Sequence, residues 1–289
     1  MRKIAIKMIA AAFVGLLILA LSLAGFVYLE SRKPPDSSGE YVALGSSFAA
    51  GIGLGTRASG SPLLCLRTDH GYPSELSALL GLKLVNASCS GATVGHVLSG
   101  GQAWQGPQLY AVGKAAKLVT LTAGGNDVGY VGDLTRLAYE RSGGFAGWIA
   151  SLGSASSPGA RERNFEQLGR DLRATLRQIY DRAPTARIIV VTYPQILPAS
   201  GTCDAIGLSN VDATVLRSVS DRLAEVTRAA AEAEGVEIVD IAKLSLGHDA
   251  CSNDPWVNGF RPERGTPFHP NHAGARATAI AIQARLSTP

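Results

Sequence analysis

Five short apolar runs rich in β-branched residues recur along the chain: Tyr41–Leu44, Leu82–Ala87, Leu118–Thr122, Arg187–Thr192 and Val236–Ile241. Runs of this length and composition read as strands buried on both faces, as in parallel sheets. Between them lie helical patterns at Tyr72–Leu80, Asn164–Ala183, Asp212–Glu234 and Asn271–Leu286. In the second of these, Phe165, Leu168, Leu172, Leu176, Ile179 and Tyr180 fall three or four residues apart, the spacing of one helix face. Gly235 stands where the third should be capped. Strands alternating with helices predict an α/β fold, a mostly parallel five-stranded sheet in a three-layer α/β/α sandwich. The stretch Ser142–Gly159, rich in Gly, Ser and Ala around Trp148, breaks the pattern and reads as a flap.

The amino-terminal pattern is different. Met8–Leu29 is a nearly unbroken apolar run, preceded by Arg2, Lys3 and Lys7 and followed by Glu30 and the polar, Pro-rich stretch to Glu40. About 20 apolar residues cross a bilayer as a helix, and positive charges before the run direct the chain beyond it out of the cytoplasm. Two readings remain open. One is a signal peptide cleaved near Ser22 or Ala24; the other is an uncleaved anchor, which the length of the run favours because signal-peptide cores span only about 7–15 residues. The expected organisation is a signal peptide or signal anchor over 1–30, a linker over 31–40 and one α/β domain over 41–289. The protein is expected outside the cytoplasm, tethered to the membrane or secreted.

Charge and cysteines narrow the class. Arg2, Lys3 and Lys7 against Glu30 supply two of the four net positive charges, so the rest of the chain is nearly balanced. No Lys/Arg block stands out, and a nucleic-acid partner is not expected. All four cysteines lie beyond the apolar run. In an oxidising compartment they read as disulfides, and sequential pairing, Cys65–Cys89 and Cys203–Cys251, staples a loop onto each half of the domain. No spacing suits zinc.

The chemistry lies in four stretches that follow strands or open the last helix. In Gly45-Ser46-Ser47 an apolar run stops at glycine and presents two adjacent hydroxyls at the carboxyl end of a parallel strand, where open α/β sheets bind ligands. In Asn86–Thr93, Gly91 follows a strand and can expose its backbone N–H. In Gly124-Gly125-Asn126-Asp127, Asn126 can offer a side-chain amide, while Asp127 reads as structural. In Pro267–Gly274, His269 precedes the last helix. Acyl transfer needs a nucleophile, a base and donors for an oxyanion; Ser47, His269 and the trio of Ser47 N–H, Gly91 N–H and Asn126 amide are those types. His272 competes with His269, since three helical positions amount to roughly 300°, nearly the same face. Trp256 and Phe268 are candidates for lining an acyl pocket or for packing alone.

These stretches resemble the four blocks of the SGNH hydrolase superfamily, also called GDSL lipases and esterases, over about Tyr41 to Leu286. GGND at 124–127 is the most specific piece. CSGAT at 89–93 and HPNHAG at 269–274 are similar to the branch typical of actinobacterial secreted lipases. The resemblance implies a flavodoxin-like fold, a catalytic serine at Ser47, oxyanion donors at Ser47, Gly91 and Asn126, a histidine at His269, and no metal or cofactor. It implies a monomeric serine esterase or lipase acting on carboxylic, lipid-type esters. The rival readings are a carbohydrate O-acetyl esterase of the same fold and an inactive cell-envelope binding module. Two positions depart from the family. Ser46 stands where an Asp is usual, a structural change. Thr266 stands where an Asp often precedes the histidine by three residues. The imidazole is therefore expected to be oriented by a backbone carbonyl at Thr266, giving a Ser-His dyad, or else by Asp254.

Overall fold

The computed structural model describes residues 2–152 and 162–287. Helix α1 (Arg2–Ser31) precedes the sheet, and its segment Ala12–Ser31 is long and apolar enough to cross a membrane; it is largely exposed, with Ser31 at its end buried by the rest of the chain. Then come β1 (Tyr41–Gly45), α2 (Ser47–Ala50), α3 (Tyr72–Leu80), β2 (Leu84–Asn86), α4 (Val94–Ser99), β3 (Leu118–Thr122) and α5 (Tyr130–Ser142). The chain closes with α6 (Gly144–Leu152), α7 (Phe165–Arg182), β4 (Arg187–Val191), α8 (Asn210–Ala233), β5 (Glu237–Val239), α9 (Ile241–Leu244) and α10 (His272–Leu286). The strands form one parallel sheet in the order β2-β1-β3-β4-β5. This is the flavodoxin-like order, whose switch point lies between β1 and β3.

Alternation along the strands divides the core. Val42 and Leu44 of β1, Val119 and Leu121 of β3 and Val190 of β4 point to the face covered by α4, α5, α7 and α8. Tyr41, Ala43, Leu118, Ile189 and Val191 point to the other face, beneath α3 and α10. Both faces are apolar, which is why these strands read as unbroken runs and not as alternating ones. On the α3 face a buried chain of hydroxyls satisfies its own polar groups. The Tyr41 hydroxyl lies 2.9 Å from Thr120 Oγ1, and the Tyr72 hydroxyl lies 2.9 Å from Thr122 Oγ1.

The predicted strands overlap the observed ones, with β2 and β5 shortened to three residues each. The long helices start one or two residues away from prediction because their first polar residues serve as caps. Asn164, Ser209 and Asn271 each accept a backbone N–H three residues on. Gly235 lies just beyond the α8 cap residue Glu234, in the left-handed region at φ +63°. The predicted flap is helical as far as it is described: Ser142 closes α5 and Gly144–Leu152 is α6, while residues 153–159 lie outside the described residues. Helix α5 was not expected from the sequence. Its signal is the set Tyr130, Leu134, Leu137 and Ala138 at three- and four-residue spacing, obscured by the glycines on either side. The structure pairs Cys65 with Cys89 and Cys203 with Cys251.

Leu121 sits on the central strand β3, fully buried. Leu121→Ala is expected to cost about 2–5 kcal/mol through lost burial and the cavity left behind. The measurement is the urea midpoint of the whole chain; an unchanged midpoint would contradict the assigned core.

Candidate active site

Strand β1 ends at Gly45, and the backbone there leaves no room for a side chain. At φ +136° a Cβ would lie 2.1 Å from the Thr122 carbonyl oxygen. Gln108 holds the same glycine from the side, its amide accepting from the Gly45 N–H at 2.7 Å and donating to the Gly45 carbonyl at 2.9 Å. Ser46 is next, the residue before α2, its N–H donating to the Thr122 carbonyl at 3.0 Å. Its hydroxyl is fully buried and hydrogen-bonded to the Tyr193 hydroxyl at 2.8 Å. Tyr193 in turn presses its ring against Gly125, where a Cβ would come within 2.8 Å. The serine in place of the usual aspartate thus ties the β1 turn to the Gly124–Gly125 turn that carries Asn126.

Ser47 is the first residue of α2. Its N–H is one of the helix-terminal donors that an α-helix leaves without a carbonyl partner. Its hydroxyl lies 2.7 Å from His269 Nε2. The two residues are 222 positions apart in sequence, and the sheet, with the loop before α10, brings them together.

His269 is held from its other nitrogen by the Pro267 carbonyl, 2.7 Å from Nδ1. The orienter is of the expected kind, a backbone carbonyl, but it belongs to Pro267 and not to Thr266, and Asp254 is not in contact with His269. The Thr266 carbonyl instead accepts from Asn258 Nδ2 at 3.1 Å and from the His269 backbone N–H at 3.3 Å. Asp254 is exposed and lies 3.3 Å from His248. The register of the loop explains the shift. Phe268, in the left-handed region at φ +57°, folds the imidazole back over its own chain, so the carbonyl two residues upstream is the one within reach. Such a conformation costs a non-glycine residue of the order of 1–3 kcal/mol. Phe268 is wholly buried against Phe260, and that packing holds it.

Burial of the imidazole pushes the His269 pKa down to about 4, only partly opposed by the bond to Pro267. At neutral pH the ring is uncharged. With Nδ1–H donated to the carbonyl, Nε2 is left as the acceptor facing Ser47.

Asn126 donates its Nδ2 to the Ala92 carbonyl at 2.8 Å, which fixes the amide beside Gly91. Gly91 has φ +80°, and a Cβ there would meet the Gln102 amide at 2.6 Å. Gln102 itself donates to the Ser90 carbonyl at 2.6 Å. Asp127 reaches back to the start of α4, both carboxylate oxygens accepting from the Val94 N–H at 3.1 Å; burial raises its pKa to about 6. Ser47, Gly91, Asn126 and His269 line one open groove of about 450 Å³. Ile52, Val131 and Ala150 give the groove apolar walls, and Arg136 stands on one side, paired with Glu140 at 2.6 Å. A larger cavity of about 540 Å³ lies at the amino end of β4 and β5, where Arg187 and Glu237 bond each other at 2.7 Å.

The other candidates take structural places. His272 is exposed at the start of α10, edge-on to His70 at 5.5 Å. Trp256 stacks on His248 at 4.2 Å, and neither it nor Phe268 lines the groove. The sequence reading missed Phe48, whose ring packs between Tyr193 and His269, 5.0 Å from the imidazole. It also missed Gln108 and Tyr193; their side chains arrive from distant segments and carry no local signal. Among the described residues no group of three or more His, Cys, Asp or Glu is placed to hold a metal ion.

A hydroxyl facing a neutral imidazole, beside free backbone and amide donors at the carboxyl edge of a parallel sheet, is the equipment of a serine ester hydrolase. The sequence profile of the GDSL-like Lipase/Acylhydrolase family matches residues 43–277. A lipase of Streptomyces rimosus is 32% identical over 270 residues, covering 92% of this chain and 92% of that protein. Lipase 1 of Streptomyces coelicolor is 30% identical over 269 residues, covering 91% of this chain and 92% of that protein. Among solved structures, phospholipase A1 from Streptomyces albidoflavus superposes with a TM-score of 0.68 at 28% identity, over 87% of this chain and 100% of that one. The extracellular lipase of Streptomyces rimosus superposes at 0.67, also 28% identical, over 86% of this chain and 99% of that one. The chain belongs to the GDSL-like lipase/acylhydrolase family and is a carboxylic ester hydrolase.

An imidazole that stays neutral to about pH 4 can accept a proton from a hydroxyl down to that pH. The acid limb of kcat/KM for a soluble ester is expected near pH 4, not near the 6.5 of a solvated imidazole. A limb at 6.5 would contradict the burial of His269. Stability depends on the same group. The folded pKa lies below the unfolded one, so this contribution is whole above pH 6.5 and is lost as the pH falls from there to about 4.

Proposed function

We propose that this protein is an exported, membrane-anchored serine esterase that hydrolyses lipid-type acyl esters through a Ser47–His269 dyad. The observation that carries the reading is the 2.7 Å contact between Ser47 Oγ and His269 Nε2, with Nδ1 committed to a backbone carbonyl.

The ester carbonyl enters the groove over Ser47. Nε2 takes the hydroxyl proton as Oγ attacks the carbonyl carbon. The resulting oxyanion is received by the Ser47 N–H, the Gly91 N–H and the Asn126 amide. The imidazolium then gives its proton to the leaving alkoxide, the C–O bond breaks, and the alcohol departs from an acyl-enzyme. Water attacks that ester while Nε2 takes one of its protons. Collapse of the second tetrahedral intermediate returns the proton to Oγ and frees the acid. The Pro267 carbonyl keeps the tautomer correct throughout. It stabilises the imidazolium less than a carboxylate does.

Apolar walls at Ile52, Val131 and Ala150 favour an acyl chain over the acetylated sugar of the rival esterase reading. The formed Ser47–His269 bond speaks against an inactive binding module. The span Ala12–Ser31, with Arg2, Lys3 and Lys7 before it, supports an anchor that leaves the domain outside the cytoplasm. Two disulfides fit an oxidising compartment.

Ser47→Ala is expected to lower p-nitrophenyl ester turnover about 10⁴-fold or more, with an unchanged circular dichroism spectrum. A fluorophosphonate probe should label the native chain and not this variant. Asn126→Ala should lower kcat about 10²–10³-fold. Wild-type turnover by Ser47→Ala would remove Ser47 from the mechanism.

A further inference from the structure

The loop that carries Gly91 is tied to an apolar surface that packs against α1. Cys89 is bonded to Cys65, and the Ser90 N–H donates to the Cys65 carbonyl at 3.0 Å. Around Cys65 the usual order is inverted. Arg67 turns inward, donating to the Ser88 carbonyl at 2.5 Å, while Leu63, Leu64 and Leu66 face outward. On the same side, Gln102 holds the Ser90 carbonyl, and two residues on Trp104 is half exposed. Leu66, Ala103 and Trp104 all lie in the left-handed region, at φ +53°, +50° and +59°. Among the described residues the remaining non-glycine of this kind is Phe268, beside His269. Backbone strain that turns leucine and tryptophan into water calls for another occupant of the surface.

Helix α1 indicates that occupant. Its final turn ends on this surface: the Tyr28 ring meets Trp104 edge-on at 6.1 Å, and the Ser31 carbonyl accepts from Gln105 Nε2 at 2.5 Å. The leucine turn also packs against α1. The span Ala12–Ser31 has 20 residues, about 30 Å of helix, one hydrocarbon thickness. Whatever touches its last turn therefore lies at headgroup depth, where tryptophan and tyrosine concentrate. Arg32 and Lys33 come directly after it, placed for lipid phosphates. Across the groove, α6 contributes Ala150 to the wall and exposes Phe145, Trp148 and Ile149.

We propose that the apolar surface beside the groove, Leu63, Leu64, Leu66 and Trp104, together with Trp148 on α6, docks onto the bilayer that holds α1. Ser47 then receives esters drawn from that membrane without their passage through water. The proposal rests on the anchor reading and adds the orientation of the site and the source of its substrate.

The test uses the full chain reconstituted in phosphatidylcholine–phosphatidylglycerol vesicles. Single-tryptophan variants retain Trp104, Trp148 or Trp256, and lipids brominated near the headgroup are the quenchers. Quenching is expected at Trp104 and Trp148 and absent at Trp256, which is stacked on His248. Leu64→Ser/Leu66→Ser is expected to lower hydrolysis of a vesicle-embedded diacyl lipid about tenfold, with turnover of water-soluble p-nitrophenyl acetate unchanged. Unquenched Trp104, or equal loss on both substrates, overturns docking. So does a dimer in detergent that is lost in the double variant, which would assign the patch to a second copy. A chain that fails to sediment with vesicles defeats the anchor and the docking together. A wild-type chain that is quenched but turns over neither ester defeats the esterase reading and leaves the docking standing.

Discussion

The chain leaves β1 through Gly45 at a point where a Cβ would lie 2.1 Å from the Thr122 carbonyl oxygen, and the rest of the site depends on that close approach. Because the backbone of β1 is pressed onto the end of β3, the turn into α2 occurs at the switch point of the sheet. The serine hydroxyl and a helix-terminal N–H then emerge together at Ser47. Gln108 and Tyr193 fasten the same turn from two sides, one through the Gly45 amide and the other through Ser46. Ser47 and the Asn126 loop are thus parts of one hydrogen-bonded corner. Its geometry is set by packing at the carboxyl edge of the sheet, not by the flexibility of the loops.

Burial sets the state of the His269 imidazole. A carboxylate behind His269 would raise its basicity and hold its tautomer. Here the Pro267 carbonyl does the second alone, and desolvation among Phe48, Phe268 and the Ser47 turn sets the first. A neutral imidazole with a fixed tautomer is competent as a base, and the low pKa keeps it so well into acid. The cost falls on the imidazolium, which a carbonyl supports less strongly. The left-handed Phe268 belongs to this arrangement, since it bends the loop so that an upstream carbonyl takes the place of a side chain.

The α/β architecture was legible because strands buried on both faces keep unbroken apolar runs, and amphipathic helices such as α7 keep their spacing. Helix α5 was hidden by Gly129 and Gly143 at its ends, and α6 by a composition that suits a loop. The sequence reading selected Ser47, Gly91, Asn126 and His269 because each lies at, or within two residues of, a glycine or proline that marks a sharp turn. The partner of His269 was sought at Thr266 and Asp254. Which carbonyl an imidazole reaches depends on the φ of one intervening residue, and no residue type at 268 announces that.

Local properties of the chain were enough to set the strand–helix alternation, the apolar span before it, the even set of cysteines and the residue types able to transfer an acyl group. Periodicity, composition and turn chemistry each act within a short window, so these features are written where they occur. Tertiary packing alone brought Ser47 Oγ to 2.7 Å from His269 Nε2, set Tyr193 against Ser46, and laid Tyr28 near the end of α1 against Trp104. Each is a contact between segments remote in the chain. Its distance is set by how the sheet and its helices pack, which no short window of sequence encodes.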